Sequence, residues 1–259
     1  ANQIQGNFIG TDNTGNSAVP NGTYWIANNN LSTVGCGIDI SYAPNNVIGG
    51  NTPGAGNLIS GNWRDAICIG DFGASNNVIQ GNLVGVKADG VVKLGNEWHG
   101  VEIRDAGGGS GTTIAYNTLA YATLSQRSGV RIRAGATPNT NILVRGNSIY
   151  ANGGSGITGY AIDLGTFGRD AIDSCDTDTG ANLQQNSPVL LSAVSDGYRT
   201  RITGTLNSVA NTDYLLQFYA SPSPITGNLQ GKRFLNEAHF STGANCTSNY
   251  PFVVTIAAG

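Results

Sequence analysis

The chain has 259 residues, a formal net charge of −3, only 11% charged residues and 38 glycines. The acidic balance argues against nucleic acid as a partner, since that contact rests on a basic footprint. No apolar run approaches the ~20 residues that cross a bilayer as a helix. A mass of 26.7 kDa leaves room for a large core, and glycine-rich, charge-poor composition fits a secreted solenoid better than a cytosolic globule.

The first recurring phrase, Asn-x-Ile/Val-x-Gly-Asn, opens at Asn2–Asn7. It returns at Asn57–Asn62 and Asn77–Asn82, and in worn form at Ile142–Asn147. The asparagine that closes each phrase (Asn7, Asn62, Asn82, Asn147, with Asn117 in the same role) is expected at one corner of successive coils, its amides stacked as a ladder. Asn2, Ile4, Gly6, Asn7, Gly10, Gly15, Asn21 and Ile26 match Asn77, Ile79, Gly81, Asn82, Gly85, Gly90, Asn96 and Val101 at an offset of 75. The chain enters in mid-repeat and contains no Met, so a piece of a longer protein is expected.

A second phrase places two apolar residues around one variable position: Ile38/Ile40, Ile67/Ile69, Val101/Ile103, Val130/Ile132 and Ile162/Leu164. Successive steps are 29, 34, 29 and 32 residues, the period of a solenoid whose units bury their apolar faces only against neighbours. Alternation over four to six residues marks strands, and the Gly, Asn, Asp, Ser and Thr clusters between them mark turns. No dozen-residue segment carries helical spacing. Three short strands per turn of about 30 residues make an all-β parallel β-helix, expected over 1–172.

Residues 173–188 form a polar junction. Beyond it, longer alternating runs (VLLSAV, TRITGTL, YLLQFYA, RFLNEAHF and PFVVTI) predict antiparallel pairing. An immunoglobulin-like β-sandwich is expected over 189–259.

Cys36 shares parity with inward Ile38, and Cys68 lies between two inward residues, so they are expected to be a poor disulfide pair. Cys175 and Cys246 sit in polar loops, where a bridge and free thiols are equally open readings. No cysteine pair has zinc-site spacing.

The solenoid phrases, the junction from Asp176 to Pro188 and the tail opening PVLLSAVSDG together resemble secreted bacterial right-handed parallel β-helix repeat proteins. The resemblance covers nearly the whole chain. It implies a right-handed, pectate-lyase-like solenoid at the cell surface or outside the cell, but not one chemistry, because the scaffold carries lyases, hydrolases, epimerases, tailspikes and adhesins. A polygalacturonase pattern fails: the only Asn-Thr-Asp (Asn211–Asp213) lies in the tail, and Trp98-His99-Gly100 is the nearest to Gly-His-Gly.

If the apolar pairs point inward, the residues between them form one outward column: Asp39, Cys68, Glu102, Arg131, Asp163. Arg104 and Arg133 lie two positions further along, with Trp98, His99 and Trp63–Asp65 just before the strands. With strands about 4.8 Å apart, Glu102 and Asp163 stand about 10 Å apart, near the upper end for an inverting glycosidase. Catalysis by Glu102, Arg131 and Asp163 is one reading. A groove in which Arg104, Arg133, His99 and Trp98 bind a carboxylated polysaccharide or cell-surface glycan is the second. A cross-strand salt-bridge ladder is the third. An enzyme needs walls, and the insert Val86–Trp98 is expected beside the column.

Asp173, Asp176 and Asp178 alternate ahead of Gly180, as in the first half of a calcium loop. Ca²⁺ and a set of Asx turns are competing readings. The function expected is an extracellular structural or adhesive segment that can bind glycans. An enzyme on acidic polysaccharide and a filament or stalk subunit self-associating through solenoid ends are the alternatives.

Overall fold

The computed structural model of the protein describes residues 1–27, 30–104, 108–221, 230–246 and 252–257. Three parallel sheets of five strands each wrap one interior. The first sheet takes Gln3–Ile4, Val47–Gly49, Val78–Gln80, Thr113–Ala115 and Leu143–Arg145. The second takes Phe8–Ile9, Leu58–Ile59, Leu83–Val84, Thr118–Ala120 and Ser148–Tyr150. The third takes Ile38–Ser41, Ile67–Gly70, Val101–Ile103, Val130–Arg133 and Ile162–Gly165.

The repeat phrases set this register. Ile38 pairs with Ile67, Ile67 with Val101, Val101 with Val130, and Val130 with Ile162. Ile48, Ile79 and Ile114 from the first sheet meet Ile59, Val84 and Leu119 from the second and Ile67, Ile103 and Ile132 from the third in one core. All nine are fully buried. Each contributes about 1.5–3 kcal/mol relative to exposure, in one core that runs through successive coils.

Corners are built from side-chain amides. Along one corner run Asn7, Asn57, Asn82, Asn117 and Asn147. Asn57 donates from its backbone N–H (3.1 Å) and from Nδ2 (2.9 Å) to Asn82 Oδ1, and Asn82 repeats both contacts to Asn117 Oδ1 at 2.9 Å. Two further columns, Asn2–Asn46–Asn77 and Asn21–Asn62–Asn96, bond the same way. The sequence expectation therefore needs one correction: Asn57, not Asn62, belongs with Asn7 and Asn82. The phrase NLISGN carries the second-sheet strand Leu58–Ile59 between two different corners. Likewise Asn21 and Asn96 do share a column, but Ile26 does not match Val101. It lies in an inserted antiparallel hairpin, Thr23–Ala27 with Asn30–Val34, and the true counterpart of Val101 is Ile38. The tight corner at Gly85 (φ +79°) brings the backbone so near the next coil that a Cβ would stand 1.8 Å from the Ala120 carbonyl oxygen, which only glycine permits.

The cysteines correct a second expectation. Cys36 and Cys68 form a disulfide, as do Cys175 and Cys246. Strand parity does not carry from Ile38 back to Cys36, because Gly37 sits in a bend before the strand begins. Cys36 thereby turns to the outer face and meets Cys68.

The tail contains the five expected strands, in a three-stranded and a two-stranded antiparallel sheet. Ile202 and Ile256 from one pack with Leu216 and Phe218 from the other. The edge strand Val189–Ser195 is exposed along its whole length. The tail also closes the last coil. Gln230 Oε1 accepts from Asn152 N and Nδ2 at 3.0 Å, extending an amide column. Gly231 O takes the Ile149 N–H at 2.8 Å, and Glu237 pairs with Arg145 at 2.6 Å. Donors that a solenoid edge would leave open are thus satisfied. Among the described residues no helix is long and apolar enough to cross a membrane.

Candidate functional site

The third-sheet register lines up Asp39, Cys68, Glu102, Arg131 and Asp163 in one outward column, as the alternation of the repeat phrases implies. From Cys68 to Asp163 the column is covered, whereas Asp39 at its start is exposed. Glu102 is 3% exposed, Arg131 7% and Asp163 1%. Part of the cover is the segment after the last strand, where Gly168 N–H reaches Asp163 Oδ1 at 3.3 Å and the Phe167 ring lies 5.5 Å from the Arg131 guanidinium. Part is residues just before the strands, joined along the solenoid axis. Asp65 Oδ1 accepts the His99 backbone N–H (2.8 Å), His99 Nδ1 accepts the Ser128 N–H (2.9 Å), and Ser128 Oγ accepts the Tyr160 N–H (3.1 Å).

Under this cover the charges pair. Glu102 Oε2 meets Arg104 Nε at 3.2 Å and Arg64 Nη2 at 3.8 Å, and Oε1 meets Arg133 Nη1 at 3.9 Å. Arg104 reaches on to Asp39 at 3.3 Å. Arg131 pairs with Asp163 Oδ1 at 2.9 Å and donates to the carbonyls of Gly165 (2.9 Å) and Thr166 (3.2 Å). Asp163 Oδ2 is buried without a partner.

Burial, reinforced by the Glu102 carboxylate, pushes the Asp65 carboxyl up to about 7. Burial pushes Asp163 up to about 6 against the pull of Arg131. Burial and the cations of Arg127 and Arg131 push His99 down to about 3. The neutral imidazole, 2% exposed, accepts a backbone hydrogen bond at Nδ1 and so links two coils within the cover.

At the rim, the guanidinium groups of Arg127 and Arg64 lie 3.9 Å and 5.0 Å from the centre of the Trp98 ring. Trp98, Arg104 and Arg133 are partly exposed, so the structure gathers Trp98, His99, Glu102, Arg104, Arg131, Arg133 and Asp163 onto one face. Sequence reasoning missed Arg127, which stands in a polar turn with no repeat signature. It noted Asp65 only as a neighbour.

The insert Val86–Trp98 does not wall the column. It folds as a hairpin, with Lys87 N–H donating to Val92 O, and lies over the second sheet, where Ala88 N–H reaches Gly15 O at 3.1 Å and Tyr121 Oη donates to Val91 O at 3.5 Å. Only its end, Trp98, reaches the third-sheet face.

Two of the junction acids make turn bonds. Asp173 Oδ2 accepts from Thr177 N–H (3.0 Å) and Oγ1 (2.8 Å), and Oδ1 accepts from Asn186 Nδ2 (3.2 Å). Asp176 accepts from Asn186 N–H (2.9 Å), Gln185 Nε2 (2.7 Å) and Ser208 Oγ. These are the turn bonds that compete with a cation for the same oxygens. Among the described residues, the sets with ligand atoms within 4.8 Å are Cys36/Asp39/Cys68 and Asp65/Cys68/Glu102, neither of which includes Asp173, Asp176 or Asp178. Both sets count a disulfide sulfur and face arginines, a poor shell for a cation.

No protein family and no curated protein matches this chain.

Proposed function

We propose that this chain is a rigid extracellular solenoid segment of structural or adhesive type, with a carboxylated-glycan contact at the rim of its third sheet. The observation that carries the reading is that the charges of the outward column are used on each other, with Arg131 bound to Asp163 at 2.9 Å under cover. A substrate-binding acid and base would instead stand open. Two disulfides suit an oxidising compartment. Trp98 with Arg64 and Arg127 offers a ring for stacking beside guanidinium forks for a carboxylate, and Arg104 and Arg133 extend that cationic edge.

An enzyme acting on acidic polysaccharide is the second reading. It is favoured by the raised Asp163 carboxyl with its unpartnered Oδ2, the environment given to a general acid. Burial of Asp163 under 165–168 weighs against it. Stacking as a stalk through the last coil is opposed by the tail that covers that edge.

Calorimetric titration with uronate oligosaccharides and neutral counterparts, on wild type and Trp98→Ala, tests the contact. Binding of the acidic series alone, lost in Trp98→Ala, is expected. Equal binding of neutral sugars, or an unaffected variant, contradicts it.

A further inference from the structure

The two disulfides stand in different surroundings. Cys36–Cys68 joins the first coil to the second, across 32 residues of sequence. Arg104 Nη2 lies 3.0 Å from Cys36 Sγ, and Asp65 Oδ2 lies 3.5 Å from Cys68 Sγ. A disulfide sulfur has no proton, so the second contact is a hydrogen bond only when Asp65 carries one. Asp65 is fully buried beside the Glu102 carboxylate, which favours that protonated form against the pull of Arg64, whose Nε stands 3.3 Å from the same Oδ2, and of Arg104. Near Cys175 Sγ, by contrast, stands the neutral Ser174 hydroxyl at 3.9 Å.

We propose that Cys36–Cys68 is an exchange site for low-molecular-weight thiols, with Asp65 as proton donor to the departing Cys68 sulfur and Arg104 as the anchor of the Cys36 thiolate. Cys68 has no exposure and Cys36 retains 8%, so the incoming thiolate attacks Cys36 Sγ. The S–S bond breaks, its electron pair goes to Cys68 Sγ, and that sulfur takes the Asp65 proton. Cys36 is left in a mixed disulfide with the incoming thiol. A second thiolate attacks the incoming thiol's sulfur, and Cys36 leaves as a thiolate facing the Arg104 guanidinium. Two thiols are oxidised to one disulfide and the protein disulfide is reduced. Of the two protons the thiols release, one restores Asp65 and the other passes to solvent, leaving Cys36 as the thiolate. Cationic stabilisation of one thiolate and an acid beside the other sulfur are the features that lower the barrier to exchange.

The test uses the full chain, reduced glutathione as probe, and alkylation with mass spectrometry to follow both disulfides in one molecule. Below pH 7, Cys36–Cys68 should open about tenfold or more faster than Cys175–Cys246, a modest share of what general acids contribute, with glutathione captured on Cys36. The rate constant per thiolate should fall as pH rises through about 7, where Asp65 loses its proton. Asp65→Asn should lose about tenfold and flatten that profile, while Arg104→Gln should slow exchange and keep a falling profile whose midpoint moves to higher pH, because Arg104 pulls on the Asp65 proton. Equal rates for the two disulfides, or a wild-type constant independent of pH, would overturn the proposal even if a variant failed to fold.

Discussion

Glu102 and Arg131 face each other on adjacent strands, yet each makes its close ion pair with another residue. Arg131 turns to Asp163 at 2.9 Å, and Glu102 takes Arg104, just past the end of its own strand, at 3.2 Å. The charges therefore form two networks, one joining the first four coils through Glu102 and one tying the fourth to the last. Both act between coils, the only place where a solenoid has tertiary structure.

Arg131→Ala should destabilise the protein by about 3–5 kcal/mol, because it strands a buried carboxylate. Replacing Arg131 and Asp163 together by leucine should recover most of that loss. Denaturant unfolding of the single and double variants checks this. A neutral Arg131→Ala would remove the pair from the account of stability.

The amide columns predict a sharper sensitivity. Asn82 donates to Asn117 Oδ1, Ile48 O and Gln80 O while accepting from Asn57. Asn82→Asp keeps the shape but replaces donors with a second acceptor facing Asn117 Oδ1. A cost of about 3 kcal/mol or more is expected, since each buried polar group left unpaired costs about 1–3 kcal/mol. Asn16→Asp, on an exposed loop, is the control and should be near neutral.

Stability should depend on pH with a definite sign at Asp65. Its carboxyl is raised from 3.8 in the unfolded chain to about 7 in the fold. The native state thus holds the extra proton between those values, and its contribution is full below about 4 and lost as pH rises through about 7. Asp163, raised to about 6, acts in the same direction. His99, lowered to about 3, acts oppositely, adding stability as pH rises from about 3 to 6.5. The stability of wild type relative to Asp65→Asn should therefore fall between about pH 4 and pH 7. A flat difference in parallel melts across that window would show that Asp65 is ionised throughout.

Much of the fold was legible because the solenoid repeats its grammar. Gly/Ala-apolar-x-apolar fixes both the face and the register of every third-sheet strand, so the column from Asp39 to Asp163 could be read directly. Legibility failed where local pattern and coil position part company. Asn57 and Asn62 bracket one strand and look alike, although they stand at different corners. Gly37 breaks the parity on which the placing of Cys36 rested. The cover over the column was hidden because Asp65, His99 and Ser128 lie 34 and 29 residues apart in sequence and are joined by backbone-to-side-chain bonds that no periodicity announces. Arg127 reaches Trp98 across the same interval.

The most direct test of the scaffold reading is turnover on a panel of acidic and neutral polysaccharides, reading new reducing ends and unsaturated products. Wild type is run beside Glu102→Gln and Arg131→Ala, and all three are melted in parallel. The account predicts no product from any substrate and lower melting temperatures for both variants. Cleavage by the wild type that disappears in both variants while they remain folded would contradict it, and would make the buried column a catalytic centre.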